Sequence, residues 1–399
     1  MKRAEIFVCL PNFSGGGAEK VMVLVARHLS SVSGKNLPKD DQSPIATSPF
    51  SPKTMSPNDV TCVVLANEGP LKSVVSECCD VVNLRAASAL RAIVTLVKLF
   101  RNRKPQIVIS TLAYFNFVIV MALIVSGHVP QRTIVREANI PNSTLRMFSF
   151  RYVGQFFYKW LYNRTDVVIC NSRETNDELL ALGVQNSRLK LIPNPVDVDF
   201  VRKQASTTID LPNFTDPSLP FFVSVGRLTK QKGMDRLINW VASMSAKANL
   251  LIIGQGQERD ELERLIENND LNGRIKIIDF RDNPFPYMAS ANAVLLGSRW
   301  EGLPNVALEA IALGKQVVAT INCGGLLDIK HLLDDQALFI AGDDEEFVLI
   351  LDQVARQHHA TSNKSKTSRT NNKLANSKLP SEYDLNFVME KYEAAIFGR

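Results

Sequence analysis

None of the six cysteines forms a C-x-x-C pair, and no histidine stands at zinc-ligand spacing from any of them. That argues against a zinc module and against a thioredoxin-type redox centre. Cys9, Cys62 and Cys170 fall inside apolar runs (IFVCL, TCVVLA, VVIC), and Cys78, Cys79 and Cys323 complete the set. They read as free thiols in a reducing compartment. There is no Walker A sequence, and GQG at 254–256 lacks the third glycine of a dinucleotide fingerprint, so a dehydrogenase is poorly supported. No short repeat is evident, which excludes a solenoid. The N-terminus MKRAEIFVCLPNF has no apolar stretch of signal-peptide length.

One long stretch lacks charge altogether. From Pro105 to Gln131 there is no Asp, Glu, Lys or Arg, and RNRK lies just upstream at 101–104. Its length would permit a transmembrane helix. The β-branched residues over 107–111, with Ser110, Thr111 and Asn116 beside a turn, favour a buried strand and then a buried helix at about 116–126.

The chain is 45% hydrophobic and 22% charged, a composition that excludes disordered and collagen-like classes. Its 399 residues allow two or three domains. Charge is unevenly placed: residues 1–194 carry 23 Lys+Arg against 13 Asp+Glu, a net of +10, and the remainder carries a net of −4. A basic front half suits an anionic partner.

Strand and helix alternate throughout, which predicts parallel sheets covered by helices on both faces. The rhythm restarts after IPNPVDVDF (192–200), where prolines flank Asn194. The expected division is a first domain over 1–194, a second over 195–380, and a terminal helix over 381–399 with Ser381 as its N-cap. Residues 30–58, with seven Ser and five Pro, read as a disordered insertion, and 357–380 as a polar linker. His358 and His359 in that linker are too few for a metal site.

Three segments could carry chemistry. Gly15, Gly16 and Gly17 lie between a strand and a helix, where backbone N–H groups favour an anion. Arg227 and Lys232, in VGRLTKQKG, stand at a strand end and could hold a diphosphate. In SRWEGLPNVALEAIALG (298–314), Glu301 lies in a loop, Pro304 is placed to be the first helical residue, and Glu309 follows about one turn in. Glu309 is surrounded by Ala307, Leu308, Ala310 and Ile311, so its carboxylate needs a partner.

These segments, in this order, resemble the family 4 (group 1) retaining glycosyltransferases of the GT-B type. Glu301 and Glu309 match the E-x7-E element, Arg227 and Lys232 the cation pair, GGG the N-terminal loop, and PNPVD the linker. The resemblance implies an α/β fold of two Rossmann-like doubly wound domains facing each other across a cleft. It implies a nucleotide-sugar donor, UDP-linked, and a glycan or lipid-linked acceptor in surface polysaccharide or glycolipid synthesis. Glu309 would bind the ribose, Glu301 the transferred sugar, and Arg227 and Lys232 the departing diphosphate. Gly302, Leu303, Asn305 and Val306 would line the donor, and the glycine loop would approach its phosphates. No metal or other cofactor is expected. The D-x-D at Asp197–Asp199 reads as helix-start acidity. Two rivals are a sugar-nucleotide epimerase on the same scaffold and an inactive homologue serving as a partner subunit.

The chain departs from the family where many members carry a histidine in the first domain. Here stands Glu137, and His128 lies too far upstream. Glu137 could contact the acceptor or could pair with Arg136. Two acid-free stretches, 85–104 and 143–164, combine Lys and Arg with apolar or aromatic residues. They suit peripheral contact with an anionic membrane surface, on the cytoplasmic side. No nucleic-acid motif accompanies the charge.

Overall fold

Short β-branched runs alternating with helices build two parallel sheets, one in each unit of the chain. The computed structural model describes residues 5–34, 59–146, 151–362 and 375–398. One unit comprises Met1–Asn194 and Asn386–Arg399, the other Pro195–Leu385.

The first unit holds β1 (Ile6–Leu10), β2 (Val60–Val64), β3 (Asp80–Asn83), β4 (Ile107–Thr111), β5 (Arg132–Glu137), β6 (Val167–Cys170) and β7 (Leu189–Leu191). Their order is β3-β2-β1-β4-β5-β6-β7, and every pairing is parallel. The second unit holds β8 (Phe221–Val225), β9 (Asn249–Ile253), β10 (Ile275–Ile278), β11 (Ala293–Leu296), β12 (Gln316–Thr320) and β13 (Leu338–Ala341). Their order is β10-β9-β8-β11-β12-β13, again all parallel. Central strands such as IFVCL and NLLII are buried along their whole length, because helices cover both faces. In each sheet the strand order reverses at one point, between β1 and β4 and between β8 and β11. Loops leaving the carboxyl ends of strands at such a point are where doubly wound folds take ligands.

Local signals explain the helix limits. Ser88 caps Ala89–Arg103 by accepting from the Arg91 N–H, and Ser172 caps Arg173–Ala181 in the same way. Lys104 ends the first of these in the left-handed region at φ 52°, just ahead of Pro105. Asp197 caps Val198–Ala205, accepting from Phe200 N at 2.9 Å, so the D-x-D is helix-start acidity. The uncharged stretch is β4 followed by the buried helix Ala113–Ser126, joined at Leu112, whose φ is 71°. No helix among the described residues is long and apolar enough to cross a membrane.

Several expectations are corrected. The first helix, Gly17–Gly34, runs into the segment read as an insertion, whose remainder (35–58) lies outside the described residues. The helix Asp344–Ser362 takes up the start of the expected 357–380 linker, including His358 and His359. Residues 375–380 are coil, with the Ala375 carbonyl accepting from Arg202 Nη1 at 2.7 Å. Ser381 opens a short 3-10 turn and caps no α-helix. Asp384 is extended and bridged to Val196, so the terminal helix starts at Leu385. Pro304 is extended at ψ 119°, and its helix begins at Asn305.

Candidate functional site

In the second unit, the loops leaving β8 and β11 converge at the point where the strand order reverses. Lys232 and Glu301 meet there as an ion pair through Nζ and Oε1. The Ser298 hydroxyl donates to the same carboxylate oxygen at 3.2 Å. Glu301 is 7% exposed, so its charge is largely removed from water and depends on these partners. Its backbone is fixed as well, since its N–H donates to the Asn322 carbonyl at 2.9 Å.

Tight backbone packing holds the two loops. Gly233 has φ +63°, and a Cβ there would lie 2.1 Å from the Gly297 carbonyl oxygen. A Cβ on Gly297 would meet the Gly233 oxygen at 2.6 Å. Arg299, two residues before Glu301, is bound to Asp235 and to the Lys230 carbonyl. Burial alone would raise the Asp235 carboxyl, but the hydrogen bonds and charge of Arg299 hold it below its ordinary value. Sequence reading missed Ser298, Arg299 and Asp235. The signal was their adjacency to Glu301 and Gly233, but spacing alone does not reveal a contact between loops.

Arg227 is exposed in the loop after β8, and the carbonyl of Gln255 in the loop after β9 accepts from the N–H of its neighbour Leu228 at 3.0 Å. Gly254 and Gly256 let these two loops touch: a Cβ would come within 1.9 Å and 2.3 Å of the Gly226 and Leu228 oxygens. Gly302 and Leu303 follow Glu301, and the Gly302 carbonyl accepts from Gly325 N at 2.7 Å. Asn305 and Val306 begin the helix Asn305–Ala312, whose positive dipole end lies there. Glu309 lies on that helix and is 8% exposed. The structure therefore joins Lys232 directly to Glu301, and sets Gly302, Leu303, Asn305, Val306 and Glu309 on the segment that continues from Glu301.

In the first unit, the glycine loop follows β1, and Gly17 opens the first helix. Gly15 has φ 80°, which suits glycine. The Glu19 side chain folds back over this loop: a Cβ on Gly16 would lie 2.5 Å from Glu19 Oε2, and the Ser14 hydroxyl donates to Glu19 Oε1 at 3.5 Å. A carboxylate thus already stands at the positive end of this helix.

Glu137, at the end of β5, is wholly buried and presents no surface to an acceptor. Its hydrogen bond comes from Tyr162 and not from Arg136, whose charge acts on it without a direct bond. The Tyr162 hydroxyl donates to Oε2 at 2.7 Å, and Asn116 Nδ2 in turn donates to Tyr162 at 3.0 Å. Arg136, also wholly buried, donates to Asn194 Oδ1 and Thr111 Oγ1. Burial raises the Glu137 carboxyl to about 7, against the lowering effect of its hydrogen bonds.

The two basic stretches divide between core and surface. Tyr158 and Tyr162 are core, in edge contact with each other at 5.2 Å. Tyr152, Phe156, Leu90 and Val94 are exposed at 84%, 58%, 74% and 64%. Arg101 is committed to the carbonyls of Val125 and Ser126, and Arg103 to Glu5. Phe148 and Phe150 lie outside the described residues. Among the described residues no group of three or more His, Cys, Asp or Glu is placed to hold a metal ion. The six cysteines are free, and burial pushes the Cys323 thiol up to about 12.

Comparison with known proteins matches both units. Residues 209–372 match the family model described as Glycosyl transferases group 1, and residues 58–200 that described as Glycosyltransferase Family 4. The N-acetylgalactosamine-N,N'-diacetylbacillosaminyl-diphospho-undecaprenol 4-alpha-N-acetylgalactosaminyltransferase of Campylobacter jejuni is 27% identical over 237 residues, 59% of this chain and 60% of that protein. The lipopolysaccharide core biosynthesis glycosyltransferase LpsE of Rhizobium meliloti is 27% identical over 209 residues, 52% of this chain and 59% of that protein. The chain thus spans about three-fifths of the length of these curated relatives. Among solved structures, Anabaena HepE in complex with UDP-glucose aligns with a TM-score of 0.71 at 17% identity, over 99% of this chain and 100% of that one. WaaG, a glycosyltransferase of lipopolysaccharide biosynthesis, aligns with a TM-score of 0.67 at 14% identity, over 99% and 100%. The shared fold is GT-B, with a doubly wound sheet in each unit.

Proposed function

The chain belongs to the family 4, group 1 glycosyltransferases, and from that premise we propose that it moves a sugar from a UDP-linked donor to a glycan or lipid-linked acceptor in surface polysaccharide or lipopolysaccharide synthesis. The observation that carries this reading is the Lys232–Glu301 pair, nearly buried where the loops after β8 and β11 meet. A cation and a carboxylate held together out of water have a use beyond stability when a ligand can replace each partner. The donor's diphosphate takes the Lys232 ammonium, and a hydroxyl of its sugar takes the Glu301 carboxylate. Glu309 binds the ribose, and the helix start at Asn305 and Val306 faces the phosphates.

The chemistry follows from charge. Breaking the bond between sugar and diphosphate leaves negative charge on the leaving group, and preorganised Lys232 and Arg227 stabilise it. Attack and departure on the same face of the sugar retain the anomeric configuration without a protein nucleophile, and no general base is assigned. No metal is required in this scheme. The relatives support the acceptor class: one is named for transfer to a diphospho-undecaprenol glycan and another for lipopolysaccharide core synthesis. The nucleotide in the complex of a structural neighbour supports UDP.

We also propose that the exposed apolar residues Leu90, Val94, Tyr152 and Phe156, with neighbouring Arg91, Lys98 and Arg151, rest on an anionic membrane on its cytoplasmic side.

The test is release of nucleoside diphosphate from a panel of nucleotide sugars, with lipid extract as acceptor and excess EDTA present. Turnover with a UDP-sugar, giving a product of retained configuration by NMR, is expected. Strict dependence on Mn²⁺ or Mg²⁺, or interconversion of free sugar nucleotides without transfer, contradicts the reading.

A further inference from the structure

The loop bearing Arg227 and Lys232 is tied to the loop bearing Glu301 by more than the ion pair. Arg299 donates from Nη1 to the Lys230 carbonyl at 2.9 Å and to Asp235 Oδ1 at 2.8 Å, and from Nη2 to Asp235 Oδ2 at 2.6 Å. The Arg299 N–H donates to the Gln231 carbonyl at 2.8 Å. Gln231 Nε2 returns a bond to the Trp300 carbonyl at 3.1 Å. Residues 230–235 are thereby strapped to residues 299–300, on either side of the Lys232–Glu301 contact. Behind the strap, Gly233 and Gly297 lie backbone to backbone with no room for a Cβ.

We propose that Arg299, held by Asp235, is a positioning residue for the diphosphate of the donor: it sets the spacing of the two loops so that the Lys232 ammonium is aimed before ligand arrives. This inference rests on the reading of the site as a nucleotide-sugar site. The guanidinium suits the task because its planar fork satisfies both oxygens of one carboxylate and a main-chain carbonyl together. A lysine ammonium keeps the charge and cannot span all three acceptors in that geometry. The fork makes three of the five bonds, one to the Lys230 carbonyl in the cation loop and two to Asp235 just beyond it, so losing the fork leaves, of these five, only the main-chain bond to Gln231 and that of the Gln231 side chain to hold the loop. A displacement near 1 Å suffices to misplace a charge-bearing group.

The experiment uses the full chain as wild type, Arg299→Lys, Lys232→Ala and the double variant. Each is titrated with UDP, GDP and ADP by calorimetry, and the melting temperature of each unliganded protein is recorded. We expect Arg299→Lys to weaken nucleoside diphosphate binding roughly 10- to 100-fold. In the Lys232→Ala background the same change has an effect below about threefold, because its action passes through Lys232. Wild-type binding with Arg299→Lys within about twofold of it overturns the positioning role alone. An equal loss in both backgrounds also overturns it, as a merely structural role would be additive. If wild type binds none of the three nucleotides, the donor-site reading falls and this inference with it. Should Arg299→Lys not fold, Asp235→Asn keeps the shape of the strap and removes the charge. It is expected to show the same coupling to Lys232, and its absence overturns the proposal.

Discussion

Glu137 carries its proton close to neutral pH because it is wholly buried at the end of β5, with Tyr162 and Tyr158 beside it and Arg136 as the nearby cation. Its native pKa, about 7, lies above the ordinary carboxylate value of 4.5. The native state therefore holds this proton more tightly than the unfolded chain does. The stability it contributes is fully present below the ordinary value and is lost as pH rises through about 7. Urea unfolding should show wild type losing up to ~3 kcal/mol between pH 5 and 8 relative to Glu137→Gln, which cannot titrate. A difference between the two proteins that does not vary with pH would rule this out. In the proposed donor site, Lys232→Ala or Arg227→Ala should lower turnover about 10²–10³-fold, and near-normal turnover in both would remove them from the mechanism. Lys232 and Glu301 were legible in the sequence because each stands at the end of a recognisable strand. Glu137 was misread because burial is a property of the whole sheet: TIVRE is a strand in any reading, and nothing local shows that its last residue turns into the core between two tyrosines.

At the scale of elements, the loops after β8 and β11 owe their shape to glycines that leave no space for a side chain. Gly233→Ala combines a positive φ with a Cβ 2.1 Å from a carbonyl oxygen, so the loop must move. It should destabilise the protein by ~1–3 kcal/mol in denaturant titration and abolish nucleotide binding at concentrations that saturate wild type. Unchanged stability would show that the loop relaxes without cost. The other parallel strands were legible as apolar runs, and β3, β7 and the edge strand β13 (LFIA) were not. Their burial is partial, DVVN at one sheet edge and LKL at the other, and an edge strand lacks the apolar signature of a central one. The terminal helix was legible but its start was not, because a β-bridge to Val196 holds Asp384 extended just before Leu385. A long-range pairing of this kind overrides the local capping signal of Ser381.

The whole molecule repeats one strand order in both units and so presents one switch point in each. That repetition was readable as a restart of the strand–helix rhythm, and the family membership follows the same division. The charge asymmetry was equally readable, but the engagement of its cations was not: Arg101 binds carbonyls at a helix end and Arg103 pairs with Glu5, while Leu90, Val94 and Tyr152 are exposed on the face proposed to meet a membrane. Replacing Leu90, Val94 and Tyr152 together by Glu should abolish sedimentation with anionic vesicles and leave the melting temperature within a few degrees of wild type. Retained vesicle binding would exclude this face. The central claim is that the second unit binds a nucleotide sugar through Lys232, Glu301 and Glu309, and binding to the folded state raises the melting point by mass action. The direct measurement is thermal unfolding of wild type and Glu309→Ala with UDP, GDP, ADP and their sugar conjugates. The account predicts stabilisation by UDP and UDP-sugars that is lost in the variant. No shift with any nucleotide in a well-folded wild-type sample would contradict it.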